Sequence, residues 1–441
     1  MTKLIIFLPG LMGSQLFKGT DLIWPGPFLS LFSPYKLMNE LLDPDLRVGD
    51  IIRSFSISEQ YGSLIAKLGQ ADFTEQNGRL RVFPYDWRKR NEDAAEGLAK
   101  LIEKIAAEHN SEVEITLLAH SMGGLISRYY LESGLFDQRP GFSNVRNLFT
   151  LATPHRGSPV ALAAAVGLER RLFLDKSQVQ QLVQHTEFPS VYQLLPPPED
   201  AFAWDDRNRD DLFKPFPVHE HAAELALVPA NLKAAADFRA HLTGRAPNGV
   251  RYFCFVGTRL PTLTHVRISG DGASLFVRPV PADDGGDGTV PSWSGGLAGV
   301  QTQFVGGEHG TIYKDRDLLT TLGGLLGMKN TLAADLSVQA SIRDKVMAPS
   351  ARAHLSISFP VPITGLKGEV IIERAMQNPD GTIRKITQIE SHPLAYTGLG
   401  AENLSLTFKA PNDPGIYYVR FMQEGKADAN VQDDFFIQDT L

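Results

Sequence analysis

The sequence predicts an α/β fold, in which a mostly parallel sheet covered by helices carries a helical cap insertion, followed by a C-terminal antiparallel β-sandwich. Three observations carry this. From residue 1 to about 330, apolar β-branched runs alternate with helical patterns, the signature of a parallel sheet under helices. Between about 158 and 248 the alternation gives way to Ala-rich and Pro-rich helical pieces, including Pro196-Pro197-Pro198 and the charged run from Asp205 to Asp211. After about 330, short alternating runs are separated by Asn-Pro-Asp-Gly and Asn-Asp-Pro-Gly turns, with no helical period between them.

In order, Leu4 to Leu8 reads as the first strand, Tyr61 to Leu68 as part of a helix, Leu80 to Phe83 as a strand and Glu92 to Glu108 as a helix. Glu114 to Leu118 is a strand leading into a helix from Gly123 to Ser133, and Val145 to Leu151 is the next strand. The segment at about 158–248 is the inserted cap. Sheet-like sequence resumes at Arg251 to Val256, and Leu318 to Leu326 reads as a closing helix. In the tail, Leu355 to Phe359, Glu369 to Glu373 and Ile416 to Phe421 are the strands of the sandwich. A chain of 441 residues exceeds what one core usually supports, so the expected division is a catalytic unit over 1–330 and an accessory β-unit over 331–441.

The composition, 43% hydrophobic and 21% charged, is that of a globular chain with a sizeable core. With 43 Lys and Arg against 50 Asp and Glu, the formal charge of -7 gives no electrostatic case for nucleic acid or an anionic membrane, so any membrane-interface contact is expected to be apolar and transient. The single cysteine, Cys254, lies in an apolar run and is expected to be a buried inert thiol, which suits a reducing compartment. The apolar run after Lys3 is too short for a secretory h-region, and no stretch approaches the roughly 18 apolar residues of a membrane span. The expected location is the cytoplasm, with non-classical secretion left open.

The chemistry is concentrated at Ala119-His120-Ser121-Met122-Gly123. It follows a strand and precedes a helix, the order of an α/β-hydrolase nucleophile elbow, where small residues two positions either side let a strained serine turn tightly. Ser292-Trp293-Ser294-Gly295-Gly296 has a similar pattern, but no apolar strand leads into Ser294. A serine hydroxyl needs an imidazole to take its proton and a carboxylate to orient that imidazole, and in this fold they follow in the order Ser, Asp or Glu, His. Asp287, followed by Gly-Thr-Val-Pro, and His309, between Glu308 and Gly310, meet that order. Asp283 and Asp284 compete with Asp287 but read as solvated. His120 and His155 read as structural.

Val82 to Arg88, Ala119 to Gly123, Phe255 to Thr262 and Gly286 to Pro291 occur in the same order as in the lecithin:cholesterol acyltransferase family, and over roughly residues 1–330 the chain resembles it and its lysosomal phospholipase and phospholipid:diacylglycerol acyltransferase relatives. The resemblance implies an acyl-enzyme mechanism on glycerolipid esters, with the acyl group passed to water or an alcohol. It also implies an oxyanion hole from the backbone N–H groups of Leu11 and Met122. The cysteine pairs of secreted mammalian members are absent, the tail after 330 has no counterpart there, and cholesterol as acceptor is unsupported.

Trp24 and Phe28, in an apolar stretch ending at Phe32, and the segment from Ala161 to Leu174 read equally as lid surfaces for a lipid interface and as core packing. Asp86 and Arg88 are expected to pair and hold a loop, and Thr153 to Ser158 to form a hinge into the cap. No cofactor is expected: the phosphate-loop and His-Glu-x-x-His patterns are missing, and His219-Glu220-His221 reads as solvated surface. The expected partner is a lipid ester substrate, with no nucleic acid, and a protein partner through the tail stays open. Two other readings remain: an antibacterial phospholipase effector secreted into rival cells, and a catalytically inactive hydrolase-fold binding protein.

Overall fold

A central sheet arises around inner strands that are mainly apolar on both faces. In the computed structural model β1 (Thr2–Leu8), β2 (Leu80–Val82), β3 (Val113–His120), β4 (Val145–Leu151), β5 (Arg251–Gly257) and β6 (Gln301–Val305) lie in the spatial order β2-β1-β3-β4-β5-β6. Every neighbouring pair is parallel. Residues 27–34, 56, 57, 60, 198, 199, 201, 209, 273, 274, 329–337, 344, 378–382, 426–430 and 439–441 are outside the described structure.

Parallel sheets are covered on both sides, which is why these strands do not alternate apolar with polar. Leu4, Ile6 and Leu8 of β1 join the core beneath α1 (Asn91–Glu108) and α2 (Met122–Glu132). Ile5 and Phe7 point the other way, into a core shared with the helix Gly62–Gln70 and α3 (Arg316–Leu325). The order reverses at β1 and β3, so their loops leave in opposite directions and open a crevice at the strands' C-terminal ends.

The cap region contains the helices Val160–Ala165, Lys176–Val183 and Pro229–Arg239. The second starts at a capping box made by Asp175 and Gln178, and the third has proline in its first turn. Features that escape the sequence pattern include the antiparallel sheet of Ser14–Lys18, Asp21–Trp24 and Arg47–Ile51, the hairpin Leu260–Ser269 with Phe276–Gly286, and β6. Prolines 261, 279 and 281 break up the hairpin's alternation, and β6 is an edge strand with Phe304 exposed.

The tail forms β7 (Gln339–Ile342), β8 (Val346–Met347), β9 (Arg352–Gln377), β10 (Ile383–Lys409), β11 (Gly415–Gln423) and β12 (Val431–Ile437). The sheet runs β7-β9-β11-β12-β8, with β10 along the other edge of β9. All pairs are antiparallel except β8 with β12. β7 pairs with the first part of β9 and β11 with the last, and register breaks after Ser358 and Ile363 allow a bend between. The layers of the sandwich are thus arms of one bent sheet around one core, with Leu355 and Ile357 from one arm and Val419, Phe421 and Phe435 from the other.

That sheet also packs against the rest of the molecule. In β11, Tyr417, Val419 and Phe421 enter its own core, while Ile416 and Tyr418 join the core of the parallel-sheet region. Period-two alternation therefore buries this strand on both faces. Among the described residues no helix is long and apolar enough to cross a membrane.

Candidate active site

β3 delivers Ser121 to the crevice at φ 53° and ψ -124°, a conformation a residue with a Cβ holds only when its surroundings enforce it. Its N–H donates to the Leu151 carbonyl of β4 at 2.9 Å. The helix that follows lies against β1: a Cβ at Gly123 would stand 2.6 Å from the Pro9 oxygen. Ala119 is fully buried.

His309 lies at the start of a 3-10 turn after β6, and Asp287 directly follows the hairpin that leaves β5. The His309 Nε2 is 2.9 Å from Ser121 Oγ and its Nδ1 is 2.8 Å from Asp287 Oδ2. Asp287 is fully buried, and its other oxygen accepts N–H bonds from Thr289 at 3.0 Å and Val290 at 2.7 Å. A carboxylate can only accept here, so Nδ1 carries the hydrogen and Nε2 presents its lone pair to the serine. A Cβ at Gly257, the end of β5, would meet the Asp287 Cβ at 2.4 Å, so the missing side chain at 257 makes room for the acid. Asp283 and Asp284 are exposed on the hairpin strand.

Leu11 lies in the loop after β1 and lines the cavity with Ser121. Met122 opens α2 with its side chain buried, so its N–H belongs to the helix's first turn, which has no intrahelical acceptor. The loop carrying Leu11 is pinned from three directions. Tyr85 donates to the Pro9 carbonyl at 2.8 Å, Trp24 Nε1 to Met12 O at 3.0 Å, and Trp87 Nε1 to Ser14 O at 3.2 Å. The Pro-Tyr-Asp-Trp-Arg stretch is therefore a clamp: Arg88 pairs with Asp86 through two bonds and donates to the Leu41 and Asp43 carbonyls.

A further chain of bonds ties the two sides of the site together. Gly10 N–H donates to Tyr61 Oη at 2.9 Å, that hydroxyl donates to His120 Nδ1 at 2.8 Å, and His120 Nε2 donates to the His309 carbonyl at 2.9 Å. A carbonyl cannot donate, so Nε2 carries a proton, and in the neutral ring Nδ1 accepts from the Tyr61 hydroxyl. Burial, and then the neighbouring His309, push the His120 pKa down to about 3. Sequence reasoning identified His120 as structural but missed Tyr61, which looked like an ordinary helix start.

These groups open onto a cavity of about 290 Å³ with mainly apolar walls, among them Trp24, Val160, Ala161, Leu182 and Leu194. Trp24 is fully buried and packs edge-on against Trp87, so its role combines wall and core. Phe28 lies outside the described residues. In the segment from Ala161 to Leu174, residues 161–165, Phe173 and Leu174 are buried, 166–171 are half-buried, and Leu172 is exposed.

The remaining candidates are accounted for locally. His155 is buried between Thr150 and Arg128, and burial followed by the Arg128 and Arg239 charges drives its pKa well down. Ser294 donates to the Gly157 carbonyl. Cys254 is buried, which pushes its thiol pKa up. His219 is half-buried rather than solvated, and His221 pairs with Glu224 at 3.4 Å. Among the described residues no group of three or more His, Cys, Asp and Glu could hold a metal ion.

Comparison with known proteins places this geometry in context. Residues 52–224 match the family model of lecithin:cholesterol acyltransferase, a stretch that includes Ser121. No curated protein matches the chain. Among solved structures, a chain of the Tle4-Tli4 complex is 16% identical with a TM-score of 0.54, covering 74% of this chain and 98% of that one. The mature Bacillus licheniformis lipase BlEst2 is also 16% identical, with a TM-score of 0.39 over 74% of this chain and 91% of that one. Phospholipase PlaB from Legionella pneumophila is 12% identical with a TM-score of 0.27, over 99% and 90%. At such identities a likeness concerns the fold, and of these three the first is close enough in shape to carry it. The chain has the α/β-hydrolase fold, and its residues 52–224 match the family model of lecithin:cholesterol acyltransferase.

Proposed function

We propose that the protein is a serine acyl hydrolase or acyltransferase that acts on lipid esters of the glycerophospholipid type through an acyl-enzyme on Ser121. The observation that carries this is the bond chain Ser121–His309–Asp287 opening into an apolar cavity. His309 Nε2 takes the hydroxyl proton as Oγ attacks the ester carbonyl, and Asp287 stabilises the resulting imidazolium. The backbone N–H groups of Leu11 and Met122 are the proposed donors to the oxyanion, worth several kcal/mol of barrier in comparable sites. The imidazolium then protonates the leaving alcohol. Water or a second alcohol, deprotonated by the same imidazole, attacks the acyl carbon, and the imidazolium returns that proton to Ser121 Oγ as the acyl group leaves. The accompanying division is a catalytic unit over 1–330, capped at about 158–248, and an accessory unit over 331–441.

The test is incubation of wild-type and Ser121→Ala protein with a total lipid extract, followed by lipid profiling and labelling with a fluorophosphonate. Ester turnover should fall by about six orders of magnitude in the variant, as when a triad serine is removed elsewhere. Turnover retained by Ser121→Ala would remove this serine from the mechanism.

A further inference from the structure

The C-terminal sheet reaches the cavity that holds Ser121. Phe436 on β12 and Lys345, just before β8, line it together with Phe173 of the cap region. The strand alternation explains how: Phe435 and Ile437 enter the sheet's own core, which turns Phe436 outward into the core of the parallel-sheet region. There its ring meets Phe173 edge-on, with centroids 5.4 Å apart and planes at 88°. The backbone at Phe436 is fixed on both sides, by Ile416 of β11 and Val346 of β8. Its N–H donates to the Lys345 carbonyl at 2.8 Å. Arg343 adds a bond from the same sheet to the Pro261 carbonyl at 2.9 Å.

The cation on this wall is already paired. The Lys345 ammonium is bonded to Asp433, whose other oxygen accepts the Ile342 N–H at 2.7 Å, and it lies 3.8 Å from Asp434 Oδ1. A cation held by two carboxylates offers little to an anionic head group, whereas the facing phenyl rings suit hydrocarbon.

We propose that the C-terminal sheet is a wall of the substrate cavity, and that Phe436, facing Phe173, determines the length of hydrocarbon chain the site accepts. This rests on the cavity being the acyl site of the reaction proposed above. A side chain fixed on a paired strand and closing a pocket limits size more sharply than one on a loop. Phe436 is held by its strand neighbours and faces Phe173, so its substitution acts on selectivity.

The experiment compares full-length wild type with Phe436→Ala, Phe436→Leu and Phe436→Trp on p-nitrophenyl butyrate, octanoate, laurate and palmitate. The laurate-to-butyrate ratio of kcat/KM should rise about tenfold in the alanine variant, rise less in the leucine variant, and fall in the tryptophan variant. An unchanged ratio in all three, including a uniform loss of rate, overturns the proposal; the leucine variant covers the case in which alanine or tryptophan prevents folding. If wild type hydrolyses none of these esters, the proposed function fails, and the cavity is read directly through displacement of cis-parinaric acid by saturated fatty acids of increasing length. A displacement series that differs between wild type and Phe436→Leu supports the wall, and identical series overturn it.

Discussion

Replacing Tyr61 by phenylalanine keeps the ring that packs against Phe7 with centroids 5.0 Å apart and removes one oxygen. That oxygen accepts the Gly10 N–H and donates to His120 Nδ1, and it sits among buried groups. A buried polar group left without a partner costs about 1–3 kcal/mol, so two such groups bring the expected loss of stability to roughly 2–6 kcal/mol. Relief is available only through movement: the loop bearing Leu11 shifts, or His120 turns and gives up the His309 carbonyl. Either displaces a group next to the reacting atoms, where a misplacement of about 1 Å is enough to slow the reaction up to about a hundredfold. The expected result is a fall in kcat of about 10–100-fold, equivalent to roughly 1.4–2.7 kcal/mol of barrier, with KM little changed because the apolar walls remain. Initial rates on p-nitrophenyl butyrate and calorimetric melting measure both effects on one sample. A lowered melting temperature with wild-type kcat would refute the link between this bond chain and the reaction, leaving Tyr61 a purely structural residue.

Three further outcomes are expected. Asp287→Asn should preserve the backbone bonds but favour the wrong imidazole tautomer, lowering kcat by about four orders of magnitude in steady-state ester assays, as in comparable triads. Gly257→Ala would drive a methyl into the Asp287 Cβ, so esterase activity should fall while circular dichroism shows a folded protein; full activity would show that the acid has slack. His120 has its pKa depressed in the folded state, so the stability it contributes is complete above about pH 6.5 and is lost as pH falls toward its folded value of about 3. Between pH 6.5 and 4 this amounts to roughly 3 kcal/mol, and urea midpoints of His120→Gln should depend less on pH over that window than those of wild type.

The central sheet was legible because a buried parallel strand declares itself as an unbroken apolar run, as in Leu4 to Leu8 and Leu117 to Ala119. The elbow was legible because close approach to β1 leaves no alternative to glycine at 123. Asp287 and His309 could be picked out by chain order and their glycine neighbours, although what holds them lies in Thr289, Val290 and Gly257. Tyr61 and Phe436 were invisible for a different reason. Each meets partners far away in the chain, His120 and Gly10 for one and Phe173 for the other, and no local pattern marks those partners. The hairpin from Leu260 to Gly286 was missed because proline replaces the alternating apolar residue that would mark a strand.

The strand buried on both faces, β11, carries a consequence for dissecting the molecule. Severing the tail would strip Ile416 and Tyr418 from the apolar surface they cover, leaving a sticky scar on the remaining fragment and wetting a pocket otherwise shielded at Phe436. Poor behaviour of such a fragment would then report an exposed seam, and should not be mistaken for loss of chemical competence at the serine.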